Sequence, residues 1–183
     1  STVAVIGCGG VGLSTINGAA IAGASRIIAI DLADEKLELA KTFGATDVVN
    51  PDNGDVVEQV QHLTGGGVHY AFEAIGLKQT AEQAVAMLRP RGLATIIGMI
   101  APGVNIEVPG IGFMVQEKKL QGAIMGSTRF RIDFPRLITL YQLGRLHLDS
   151  LVSDRIGLDG LTAAMQNLHD NKASVARQVI VFN

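Results

Sequence analysis

Six residues, Gly7-Cys8-Gly9-Gly10-Val11-Gly12, carry the spacing GxGxxG at Gly7, Gly9 and Gly12. The pattern alone is common. It gains meaning because an apolar run, Thr2–Ile6, ends directly before it and a helical stretch rich in small residues begins inside it. Each glycine then has its own task. Gly7 permits a tight turn off the strand, Gly9 lets backbone approach a pyrophosphate with no Cβ in the way, and Gly12 lets the helix pack closely on the sheet. A helix opening at this point offers unpaired N–H groups and a partial positive charge to phosphates.

The second chemical residue is Asp31, which stands 19 residues after Gly12 at the end of the apolar run Arg26–Asp31. A carboxylate there accepts hydrogen bonds from adenosine ribose hydroxyls and repels a 2′-phosphate, which selects NAD over NADP. Asp31 could instead merely cap the next helix, but Asp34 is better placed for that. Glycine loop and acid together point to a dinucleotide, with NAD favoured.

The elements that must position these residues alternate. Strands are expected at Thr2–Ile6, Arg26–Asp31, Asp47–Val49, Tyr70–Glu73, Leu93–Ile97 and Leu120–Met125. Helices are expected at Gly10–Ala22, Asp34–Phe43, Asp55–Leu63 and Lys78–Leu88, with Gly44 and the Gly65-Gly66-Gly67 run as stops. Such alternation describes an α/β fold: a doubly wound parallel sheet of the Rossmann type over residues 1–125. The rhythm changes after Met125, and residues 126–183 read as a C-terminal extension of helices and a strand. There Asp133 caps a helix with Pro135 in its first turn running to Leu143, Asp159 caps another to His169, and Arg177–Phe182 forms a final strand.

Of 183 residues, 48% are hydrophobic and 17% charged, enough to build a core, and the net charge of -2 argues against nucleic acid or an anionic membrane as partner. No apolar run reaches the roughly 18 residues that span a bilayer. One cysteine, Cys8, excludes an internal disulfide and fits a reducing, cytoplasmic setting. The start at Ser1, directly before a strand, reads as an excised or processed piece, although removal of Met before Ser gives the same ending.

The stretch VAVIGCGGVGLSTINGAAIAGASRIIAIDLADEKLELAKTFGATDVVNP, the segment Tyr70–Gly76 and the closing RQVIVF resemble, in order, the coenzyme domain of zinc-dependent, medium-chain alcohol dehydrogenases. The thiol-dependent formaldehyde dehydrogenase branch is similar too. The resemblance spans the whole chain. It implies that Gly10 and Val11 present N–H groups to the pyrophosphate, that Asp31 binds the adenosine ribose, and that Lys36 helps from the side. It further implies that Ala74 and Ile75 line the adenine and ribose side, with Gly76 giving room. Ile97, Gly98 and Met99 would offer backbone to the nicotinamide carboxamide, Met125 would touch the same amide, and Arg177 would reach the pyrophosphate. Second readings stay open: a solvated lysine for Lys36, ordinary core for the apolar residues, and a strand-edge charge for Arg177.

The resemblance also implies what should come from elsewhere. The family's catalytic zinc ligands and proton relay lie mainly in a domain that would precede Ser1, and His62, His69, His147 and His169 show no ligand spacing. No metal site and no catalytic residue is therefore expected in this chain, which would bind NAD without turnover, with zinc and a small alcohol or aldehyde belonging to the full enzyme. Residues 126–183 would partly pack on that missing domain. Family members pair sheet edges into homo-oligomers, and Ile100–Val115 is either that edge or a long loop over the sheet. The competing function is a stand-alone NAD-sensing regulatory module. A short-chain dehydrogenase would need Tyr-x-x-x-Lys, but Ala74 follows Tyr70 and Arg145 follows Tyr141 at that spacing.

Overall fold

Residues 1–169 and 176–182 are described by the structure, a computed structural model. Two apolar runs form its centre: β1 (Thr2–Ile6) and β2 (Arg26–Ile30) each bury four of five residues. Such continuous burial marks parallel strands covered on both faces. With β3 (Asp47–Val49), β4 (Val68–Glu73), β5 (Leu88–Ile96) and β6 (Lys119–Gly122) they make a six-stranded sheet in the order β3-β2-β1-β4-β5-β6. Every pairing is parallel.

The alternation of side chains along each strand divides the core in two. Val3, Val5, Ile27 and Ala29 meet Leu13 and Ile16 of α1 (Gly10–Ile21) and Leu37 of α2 (Asp34–Thr42). Ala4, Ile6, Ile28 and Ile30 face α3 (Val56–Thr64) and α4 (Lys78–Ala86) through Val60, Ala84 and Val85. All strands run the same way, so the loops after Ile6, Ile30, Glu73 and Ile96 gather at one end of the sheet. The strand order reverses between β1 and β4, and the crevice at such a switch point is where doubly wound folds take ligands.

Several expectations shift. Asp55 is the N-cap of α3, its carboxylate accepting the Glu58 N–H at 2.8 Å, so that helix starts one residue later. Leu88 already pairs with Val68, which lengthens β5 backwards, and the pairing then slips before Tyr70 meets Leu93. The last strand of the sheet ends at Gly122, and Met125 lies in a turn beyond it. The stretch 100–115 is not the edge of the sheet. It crosses from β5 to β6, carries α5 (Gly110–Val115), and packs Val108 and Phe113 on the core, leaving β6 as the edge.

Downstream, α6 (Phe130–Gln142) begins before Asp133, whose carboxylate reaches back to the Arg129 N–H at 2.8 Å. Pro135 thus lies inside the helix rather than in its first turn. A 3₁₀ turn holding Asp159 precedes α7 (Leu161–His169), so Asp159 is not its cap. The final strand, β8 (Arg177–Ile180), is shorter than expected and pairs with an unforeseen β7 (Val152–Ile156) in a separate two-stranded sheet. Buried Asn17 ties this region to α1. Its amide donates to Arg145 O at 3.2 Å and accepts the His147 N–H at 3.0 Å, while the His147 ring stands edge-on to Phe43.

Candidate functional site

The glycine loop folds for the reasons its composition suggests. Gly7 has φ +95° and donates its N–H to Ile30 O at 2.8 Å, which ties the turn after β1 to the end of β2. A Cβ on Gly12 would overlap the carbonyl oxygen of Gly7, so only glycine allows α1 to sit this close to the strand. Gly9 is exposed, and a Cβ there would meet nothing within 4 Å. Gly9 is also the N-cap of α1, no side chain caps the helix, and the first bond back to Gly9 O comes from Leu13. The N–H groups of Gly10, Val11 and Gly12 are therefore the unpaired donors of a helix start.

A cation arrives at the same place. The Arg177 guanidinium, from the start of β8, lies against Gly10 so closely that a Cβ on Gly10 would overlap it. The N-terminus of a helix carries a partial positive charge, so a guanidinium beside it is electrostatically unfavourable unless an anion joins them. Together they make a positive corner beside the open side at Gly9, with one guanidinium N–H given to Ala176 O at 2.9 Å.

Asp31 follows β2 and does two things. One carboxylate oxygen accepts the Cys8 N–H at 2.8 Å and the other accepts the Ala33 N–H at 3.1 Å. It thus joins the glycine loop to the turn before α2 while staying partly exposed at the rim. The N-cap of α2 is Ala33, not Asp34, whose carboxylate instead accepts the Asn50 amide at 2.7 Å. Lys36 is half-buried on the first turn of α2. Cys8 is buried beneath the loop, and its thiol is pushed up from 9.0 to about 12, first by burial and then by the Asp31 charge. The thiolate is the reactive form. A thiol reagent should leave the folded chain unlabelled at neutral pH and label it only on unfolding; fast labelling of folded protein would contradict this burial. Because the folded value is raised, the thiol's contribution to stability is present below pH 9.0 and lost as pH climbs toward about 12.

Past the switch point, two more loops abut. Gly76 has φ +93°, and a Cβ on it would come within 2.6 Å of Met99 O. A Cβ on Gly98 would in turn overlap Gly76 N. Gly76 is buried and Ala74 half-buried, whereas Ile75 and Met99 are exposed, Met99 at 91%. The structure thus brings Gly7, Gly9, Gly10, Val11, Gly12, Asp31 and Arg177 together on one side. Beside them lie Ala74, Ile75, Gly76, Ile97, Gly98 and Met99, and Ile75 touches the first group, since a Cβ on Gly7 would come within 2.6 Å of its Cγ1. Met125 projects from its turn beyond β6, 88% exposed.

The sequence reading missed Glu73. Its side chain is fully buried at the end of β4, and Oε1 accepts the N–H groups of Ile75 at 2.8 Å and Gly76 at 2.7 Å and the Thr80 hydroxyl at 2.9 Å. The available signal was an acid at a strand end, three residues before a glycine.

Among the described residues, no group of three or more His, Cys, Asp or Glu could hold a metal ion. His69 is engaged with Thr2 and His147 with Phe43, and His62 lies on α3. The described residues do not fit a catalytic zinc. No helix among them is long and apolar enough to cross a membrane.

A six-stranded parallel sheet with a glycine loop at its switch point is the architecture of a dinucleotide-binding domain. The family model described as zinc-binding dehydrogenase matches residues 10–142, and the chain belongs to that family. It is 36% identical over 183 residues to a geraniol dehydrogenase of Carpoglyphus lactis, covering 100% of this chain and 48% of that protein. Among solved structures it resembles the benzyl alcohol dehydrogenase of Acinetobacter calcoaceticus, at TM-score 0.95 and 31% identity, over 100% of this chain and 50% of that one. A zinc-binding dehydrogenase of Sinorhizobium meliloti, described as putative and bound to NADP, superposes at TM-score 0.90 and 29% identity, over 100% of this chain and 52% of that one. The chain thus spans about half the length of the relatives it matches.

Proposed function

We propose that this chain is the NAD(H)-holding half of a zinc-dependent alcohol or aldehyde oxidoreductase, and that by itself it binds the coenzyme without turning over an alcohol. The observation that carries the reading is the Arg177 guanidinium set against Gly10 at the uncapped start of α1. Helix N–H groups and guanidinium would hold the pyrophosphate between them, and the open face of Gly9 would give it room. Asp31 would accept the hydroxyls of the adenosine ribose and turn away a 2′-phosphate, which selects NAD over the NADP held by the Sinorhizobium relative. Ala74 and Ile75 would line the adenine and ribose side with Gly76 giving room, and Ile97, Gly98 and Met99 would offer backbone to the nicotinamide carboxamide. Bound NAD supplies a hydride acceptor at its nicotinamide ring. The chain's own residues orient that ring and shield one side of it, a positioning role.

The test is a titration of NADH fluorescence with the 183-residue chain, run beside an assay for NAD reduction with primary alcohols. Saturable enhancement with no NAD reduction is expected. Turnover by the chain would refute the division of labour, and an unperturbed fluorescence would refute the coenzyme site.

A further inference from the structure

Beyond the residues that would touch coenzyme, one buried group links both loops of the second half-site. Through Oε1, the Glu73 carboxylate gathers the Ile75 and Gly76 N–H groups and the Thr80 hydroxyl of α4. Through its backbone carbonyl, the same residue accepts Ile97 N–H at 2.8 Å and Gly98 N–H at 3.0 Å, which fixes the turn at the end of β5. The other carboxylate oxygen, Oε2, is buried without a polar partner among the described residues and lies 2.7 Å from where a Cβ on Gly98 would stand. A residue that served only to start α4 would have no need to face the next loop. Serine, threonine, aspartate or asparagine usually starts a helix. Glu73 lies instead under the contact between Gly76 and Gly98, where neither loop can shift without the other.

Resting on the coenzyme reading above, we propose that Glu73 is the positioning residue of the nicotinamide half-site. It sets loops 74–77 and 97–99 in one arrangement, and its larger effect falls on the nicotinamide end of the coenzyme, where Gly76 meets Gly98, with a smaller one on the adenosine end, which Ile75 borders through its contact with Gly7. The sheet supports this separation, because doubly wound sheets take the two nucleotide halves on opposite sides of the switch point.

The experiment compares NADH with ADP-ribose, which lacks the nicotinamide, as ligands of the chain and of Glu73→Ala, Glu73→Gln and Thr80→Val. Glu73→Ala should lose at least about tenfold more affinity for NADH than for ADP-ribose. Glu73→Gln keeps an oxygen for all three donors and should restore most of the NADH increment. Thr80→Val removes one donor without touching the loops and should fall between, which preserves the test if Glu73→Ala fails to fold. Equal losses for both ligands, or no change in the NADH to ADP-ribose ratio in Thr80→Val and a folded Glu73→Ala, would overturn the proposal. Failure of the parent chain to bind ADP-ribose would instead overturn the coenzyme reading on which it rests.

Discussion

Gly12→Ala is expected to abolish coenzyme binding and to lower the melting temperature of the chain. The added methyl would overlap the Gly7 carbonyl oxygen. That oxygen is backbone, and Gly7 is held in turn by its bond to Ile30 O, so nothing can rotate aside. Relief requires α1 to move off the sheet, which loosens the burial of Leu13, Ile16 and Asn17. Overpacking of this kind costs about 1–3 kcal/mol and sometimes more. At roughly 2–4 °C per kcal/mol for a chain of this size, the loss should be several degrees. The same helix supplies the control. Gly18 is exposed, with nothing within 4 Å of its potential Cβ, so Gly18→Ala should stabilise by about 0.5–1 kcal/mol and leave binding intact. Equal melting temperatures for the two variants would contradict the close packing of strand, loop and helix.

Asp31→Asn should exchange one coenzyme preference for the other. An asparagine retains an acceptor for one of the two N–H groups that Asp31 now serves, at Cys8 and Ala33, so the loop keeps part of its anchorage. What disappears is the charge. Hydrogen bonds to a charged acceptor contribute about 1.5–3 kcal/mol, so NADH should weaken by roughly 10-fold or more while NADPH binding rises. A competing account, in which Asp31 only braces the glycine loop, predicts lower stability with an unchanged ratio of NADH to NADPH affinities. Titration with both coenzymes separates the two.

The central strands were legible because burial on both faces writes itself as runs such as Thr2–Ile6 and Arg26–Ile30. The glycine loop was legible because backbone constraint demands a residue type at each point. The illegible parts share a different cause. β7 reads VSDRI, with its middle residues exposed, and pairs only with β8, so no apolar alternation marks it. α5 is hidden by Pro109, Gly110 and Gly112, which read as loop. Asp133 and Asp159 look like caps, but α6 already starts at Phe130 with Asp133 inside its first turn, and Asp159 lies within a 3₁₀ turn. Arg177 could be connected to Gly10 only through resemblance, because nothing local joins residues so far apart. Glu73 escaped notice because its partners are backbone N–H groups and a threonine, and a strand-end acid has many ordinary uses.

The central claim is that the pieces around Gly9 form a working NAD site within this chain. Isothermal calorimetry with NADH and NADPH, each added to the 183-residue protein, tests it most directly. The account predicts saturable binding of NADH at one site and clearly weaker binding of NADPH. Absence of NADH binding at about 1 mM, or tighter binding of NADPH, would contradict it.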